Sequence, residues 1–330
     1  MFAIEAPSSR ALLADVSFSL RVPIRLAPGR SVAGIGRESF SIDGKLYRFS
    51  EEDPYLAILV DNFSCEEAAQ NHFDRLLAAL YWVAIDRGVA FTAGRHFDKI
   101  AFASDPVLAA KNLNKAFWLE LKRCDGIANG NMPCVYSTEA QLRFMTVGDA
   151  TIHIGTLPSQ FVDSLTSGLL GCDAGALSDK RTKTALELYC AHYHEVSRPA
   201  RFIALVMAME VLTRKTEKAR IVLDLMEKWI DETDIVQQGD RSADEREALE
   251  SIKSELLFRK DASLRTRVRR LAAGTPDLSE ADVARAVRIY DTRSLLVHEG
   301  AVPERVIDDA IHDGQRIIGI MLRHRLRGGP

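Results

Sequence analysis

The hydrophobic repeat changes period part-way along this chain, and that change restricts it to a mixed architecture. Val16, Phe18, Leu20 and Val22 alternate with Ser17, Ser19 and Arg21, the two-residue period of a strand with one face buried. Phe40–Phe49 reads as a hairpin: strand-like residues flank Asp43-Gly44, which can supply the two positive φ angles of a type I′ turn. Tyr55–Val60 is a further apolar run. A helix follows, opened by Ser64-Cys65-Glu66-Glu67 as a capping box, striped by Leu76, Leu77, Leu80, Val83 and Ala84, and closed at Asp86-Arg87-Gly88. Short strands are expected at 99–103, 134–137, 142–145 and 151–154, with Gly/Asn-rich turns such as 128–131 between them. From Leu177 onward the pattern is helical, with helices predicted over 178–196, 199–217, 218–233, 243–260, 262–273, 279–298 and 303–326. Pro199 and Pro303 suit first helical turns, Ser279 suits an N-cap, and Gly300 falls just past a helix end. The expected organisation is an α+β N-terminal domain over 1–155, a Gly/Ser-rich connection over 156–177 with room for a short helix, and an all-α bundle over 178–330.

Composition excludes several classes. With 43 basic and 46 acidic residues the net charge is −3, so the chain is no polycation built to coat nucleic acid. Its longest apolar candidates, 76–85 and 202–212, fall well short of the roughly 20 residues that span a bilayer. The first ten residues lack a basic region followed by an apolar core, which predicts no signal peptide and a cytoplasmic protein. Cys65, Cys124, Cys134, Cys172 and Cys190 are odd in number, scattered and free of any C-x-x-C, so neither a disulfide framework nor a structural zinc site is expected. His192 and His194, two apart on a helix, point to different faces and do not suit a shared metal. No P-loop, G-x-S-x-G or H-E-x-x-H is present, and no cofactor is expected.

The segment richest in chemistry is 289–300. At 100° per residue, Val283, Ala286, Val287, Tyr290, Ser294 and Val297 form one stripe, flanked by Arg293 and His298 about 140° apart. An arginine fork matches a phosphate, a histidine titrates near neutral pH, and Ser294 can bond either one or a phosphate oxygen. Burying such a face unpaired is costly, so it should meet a partner, a second subunit or a wet cleft. On the residues alone, a structural pair bonded to neighbouring carbonyls or to Asp291 fits the same spacing. Glu210, in the apolar run 202–212, reads either as a solvent-edge residue or as a carboxylate orienting Arg293 or His298. Arg265, Arg267, Arg269 and Arg270 form a basic run that could grip a nucleic-acid backbone or stand as a solvated face; Arg323, Arg325 and Arg327 carry the same ambiguity. From residue 176 onward 27 basic residues face 26 acidic ones, so no net positive half supports nonspecific binding.

Arg293-Ser294-Leu295-Leu296-Val297-His298 resembles the R-x4-6-H motif of HEPN domains. Tyr290-Asp291-Thr292-Arg293-Ser294, then His298 and Gly300, looks like the ApeA-like HEPN subgroup, and 200–212 with Glu210 is similar to that subgroup's early acidic helix. The resemblance covers roughly 178–326. Glu299 departs from it, standing where that family often has glycine. What the resemblance implies is a helical bundle that dimerises with its motifs face to face. It implies a metal-independent endoribonuclease with Arg293, Ser294, His298 and Glu210 at its site and RNA as substrate. It further implies bacterial anti-phage defence, and a phage-derived or nucleotide trigger sensed by the N-terminal domain. The same family includes silent modules that only dimerise or bind nucleotides or nucleic acid.

Overall fold

In the computed structural model, residues 17–329 are described, apart from 29, 33, 53, 118, 146–153 and 156. They form two compact units divided between Ala174 and Gly175, the first α+β and the second all-α. Val16 and most of the strand expected at 151–154 lie outside the described residues.

The first unit runs β1 (Phe18–Leu26), β2 (Arg30–Ser31), β3 (Ser39–Ile42), β4 (Lys45–Glu52), β5 (Tyr55–Phe63), α1 (Glu66–Arg87), β6 (Phe91–Ala93), β7 (Ala101–Phe102), α2 (Pro106–Phe117), β8 (Gly126–Asn129), β9 (Cys134–Ser137), β10 (Leu142–Met145), β11 (Ile154–Gly155) and α3 (Pro158–Gly171). Its main sheet is antiparallel in the order β3-β4-β5-β1-β6, with β9 pairing the other end of the β1 edge that β6 occupies. Asp43 (φ 50°) and Gly44 (φ 74°) turn the β3–β4 hairpin with the two positive angles its sequence predicts. β8 pairs with β10 in parallel and with β7 antiparallel, and β11 pairs with β2 in parallel.

β1 departs from its expected half-burial. Leu20, Val22 and Ile24 are buried, and so are Ser19 and Arg21 on the other face. Arg21 pairs with Glu52 of β4, donates to the Gly130 carbonyl at 3.1 Å and lies 4.0 Å from the centroid of Phe144. Ser19 Oγ donates to Asp61 at 2.6 Å, and Arg48 caps the other oxygen of that carboxylate at 2.6 and 2.9 Å. Alternation therefore marks two different buried environments here, one apolar and one ionic.

α1 packs between the sheet and α3 and buries nearly every side chain from Leu76 to Ala84. Its expected capping box does not form. The N-cap is Cys65, which makes no side-chain cap bond, and helix phase follows the buried positions Ala69, Phe73 and Leu76. Gly88 closes the helix at φ 62°. The expected connection 156–177 is also corrected, because most of it is α3, packed on α1. The reason is close approach: a Cβ on Gly168 would lie 2.8 Å from the Ala79 Cα, so the small residues that read as a linker are what let two helices touch. α2 was not expected; Asp105 accepts from the Val107 and Leu108 amides and Pro106 takes the first turn, so its start signal was present.

The second unit contains the seven expected helices: α4 (Lys180–His194), α5 (Arg198–Leu212), α6 (Arg220–Gln237), α7 (Ala243–Phe258), α8 (Leu264–Ala273), α9 (Glu280–Glu299) and α10 (Glu304–Leu326). α5 is central, packing against α4, α8, α9 and α10. Its core includes Phe202, Leu205, Val206, Met209, Ile317 and Ile318. α5 ends five residues earlier than expected. Thr213 turns the chain, with its amide and hydroxyl both bonded to the Glu210 carbonyl, and the following segment runs antiparallel to 260–262 through a Glu217–Asp261 bridge. Ser279 and Asp282 form the expected cap of α9, and Gly300 closes that helix at φ 71°. Pro303 is the N-cap of α10 and stands just before its first turn. Among the described residues no helix is long and apolar enough to cross a membrane.

Candidate functional site

Three helices of the second unit bring most of the singled-out residues together. Glu210 sits in the last turn of α5, Arg267 in the middle of α8 and Arg293 in the second half of α9, where these helices pack on one another. Arg293 Nε lies 3.3 Å from Glu210 Oε1, with the side chains 27% and 16% exposed. The contact is an ion pair without hydrogen-bond alignment, and both atoms are buried. Burial raises the Glu210 carboxyl above its ordinary pKa, and the Arg293 and Arg267 charges only partly counter it. Glu210 is thus a largely buried residue in contact with Arg293, with the Arg267 charge near enough to favour its ionised form. Arg267 Nε is itself buried without a partner.

Glu210 addresses only the Nε edge of Arg293. Among the described residues, the terminal nitrogens of that guanidinium make no hydrogen bond. Ser294 is half-buried beside it, and His298 is exposed in the last turn of α9. Arg293 and His298 stand five residues apart, about 7.5 Å along the axis and 140° around it. The apolar stripe of α9 divides: Ala286 and Val287 are buried, whereas Val297 is about half exposed at 53%, as is Leu295, off the stripe, at 48%. The end of the helix that carries the motif is therefore uncovered in a single chain.

The basic run of α8 is partly engaged within the protein. Arg265 makes a paired contact with the Asp291 carboxylate at 2.9 and 3.0 Å, tying α8 to α9. Arg270 donates to Thr216 Oγ1 at 2.7 Å. Arg267 lies near enough to Glu210 for its charge to act there, and Arg269 is exposed. Three of the four thus remain on the surface, two of them already bonded to Asp291 and Thr216, while Arg267 is half-buried. His192 is fully buried, bonded to the Tyr189 carbonyl and 3.0 Å from Gln315, and burial pushes it down to about 4. It packs as a neutral core residue.

Arg325 belongs to a different group from the tail residues it was read with. It lies on the buried face of α10, in step with Ile318 and Leu322, while Arg327 is exposed. A basic residue at i+7 and i+3 from buried aliphatics was the available signal.

No protein-family model matches the chain, and no curated protein and no solved structure matches it.

Proposed function

We propose that the second unit is a metal-independent endoribonuclease of HEPN type, whose site is completed when two copies place their α9 helices face to face. The observation that carries this reading is the incompletely neutralised Arg293, held from behind by Glu210, on the same uncovered helix end as His298. The anionic oxygens of a phosphodiester, whose charge grows in the transition state, are what such a guanidinium lacks. In the reaction His298 takes the ribose 2′-OH proton, the 2′ oxygen attacks the adjacent phosphorus, and the bond from phosphorus to the 5′ oxygen breaks. The leaving 5′ oxygen takes a proton from water, so the products carry a 2′,3′-cyclic phosphate and a 5′-OH, and His298 returns its own proton to solvent. Arg293 stabilises the charge that builds on the phosphoryl oxygens, and Ser294 is placed to bond one of them. Glu210 acts as a positioning group that fixes the guanidinium plane. The exposed Leu295 and Val297 supply the apolar contact between copies. A cytoplasmic location, a sensing role for the first unit and a part in anti-phage defence follow from the resemblance alone.

A second reading, a silent binding or dimerisation module, is favoured by the Arg265–Asp291 and Arg293–Glu210 pairs, which also serve as ties between helices. Cleavage of labelled RNA in EDTA separates the two. The wild type is expected to yield cyclic-phosphate ends, and His298→Ala and Arg293→Ala each to lose about 100-fold or more of the rate. Equal cleavage by all three proteins, or none by any of them, removes the nuclease reading.

A further inference from the structure

Two adjoining pockets open where α4 begins and where α5, α8 and α10 end. One, of about 360 Å³, is walled by Arg181, Arg214, Lys215, Arg325 and Asp179. The other, of about 240 Å³, adds the apolar side chains Leu271 and Met321 and the basic side chains Arg267 and Arg270. Leu212, Arg214 and Arg325 line both, so the two pockets share a wall. Their size suits a small-molecule site.

Charge in this space is unbalanced. Six lysines and arginines face one carboxylate across the two pockets. That carboxylate, Asp179, is already committed to capping α4: it accepts from Thr182 Oγ1 at 2.7 Å and from the Arg181 and Thr182 amides. Lys215 meets Asp261 only at 3.9 Å. Arg214 is exposed and, among the described residues, makes no hydrogen bond or ion pair. Arg325 is the decisive group. It is only 9% exposed, lines both pockets, and its guanidinium makes no hydrogen bond or ion pair among the described residues. Burial and the Arg214 charge work against its protonated form, and the Asp179 charge, in reach but not in contact, only partly supports it. An arginine does not surrender its proton at neutral pH, so a cation buried this way calls for an anion.

We propose that this space binds a nucleoside diphosphate, with the phosphates among Arg181, Arg214, Lys215 and Arg325 and the nucleoside against Leu212, Leu271 and Met321. The excess of three positive charges in the larger pocket matches a diphosphate group, and the arginine forks suit its oxygens. The smaller pocket gives a base an apolar wall. The proposal does not depend on RNA cleavage, since it is read by binding.

Calorimetric titration of the full chain with ADP, inorganic pyrophosphate, adenosine and a 5′-phosphorylated tetranucleotide tests it. ADP is expected to bind at least about tenfold more tightly than the other three, which corresponds to one good contact. Arg214→Ala, at an exposed position, should weaken ADP by about tenfold or more. Arg325→Met should weaken it further and should raise the melting temperature of the unliganded protein, the opposite of what losing a structural arginine does. If Arg325→Met fails to fold, Arg214→Ala and Arg181→Ala decide. No ADP binding above that of a chloride control of equal ionic strength overturns the site, as does binding unchanged in the variants. Pyrophosphate or the tetranucleotide matching ADP overturns the nucleoside diphosphate assignment.

Discussion

The two units treat buried charge differently. In the α+β unit Arg21 is fully buried, and although its Nε and one terminal nitrogen make no hydrogen bond, Glu52 matches its charge, Gly130 accepts from it and Phe144 covers it. Asp61, nearly as deep, is met by Arg48 and Ser19. In the helical unit Arg325 is almost as buried with no counter-charge in contact, and Arg293 meets Glu210 without alignment. The desolvation cost of an ion is similar wherever it is buried, so the difference lies in what offsets it. Charge on β1 is matched within the fold, while charge around α5 is matched less completely, which is what the proposed anion sites rest on.

The contrast can be broken most sharply at Glu52. Glu52→Ala strands Arg21 in the interior and should cost about 3 kcal/mol or more by chemical denaturation; a loss under about 1 kcal/mol would mean that Arg21 does not need its partner. Acid gives the next effect, and it reaches both units. Burial lowers His72, bonded to Tyr47, and His192 to about 4. Between pH 6.5 and 4 the unfolded chain binds protons that these folded histidines refuse, so stability falls as pH falls through that window, by roughly 3 kcal/mol at most for each. Hydrogen exchange read separately in each unit should show both slopes, and His192→Gln should flatten the slope only in the helical unit. Packing at two glycines sharpens the comparison at a smaller scale. A methyl on Gly168 meets backbone atoms of Ala79 at 2.8 and 2.9 Å, which cannot give. On Gly314 it meets the end of the Leu205 side chain at 2.8 Å, which can turn away. Gly168→Ala should therefore destabilise by about 2 kcal/mol. Gly314→Ala should stay within about 1 kcal/mol of wild type, because better helix propensity offsets the crowding. Thermal melts of the two variants rank them directly.

Legibility followed how local each signal is. The Asp43-Gly44 turn, the α9 cap at Ser279 and the Gly300 closure rest on residues within three or four positions of one another, and all three formed as read. The Ser64 cap used an equally local pattern and failed, because burial of Phe73 and Leu76 against the sheet sets the phase of α1. α3 was read as at most a short helix within a connection, because a glycine that loosens an isolated chain also permits close helix packing, and sequence does not distinguish the two uses. At the site, the presence of Arg293, Ser294 and His298 on one helix was legible, as was Glu210 on another. The place of Arg267 was not, because its nearness to Glu210 depends on how α8 lies across α5.

Period and turn chemistry in the sequence alone determined that strands come first and helices after, because these depend on neighbours along the chain. Only the tertiary structure decided which charges are matched. Arg21 reads as the polar face of a strand and Arg325 as part of a basic tail, and neither pattern announces a buried charge. Whether a carboxylate or an open pocket waits opposite depends on elements far away in sequence, and that choice separates a structural ion pair from a candidate binding site.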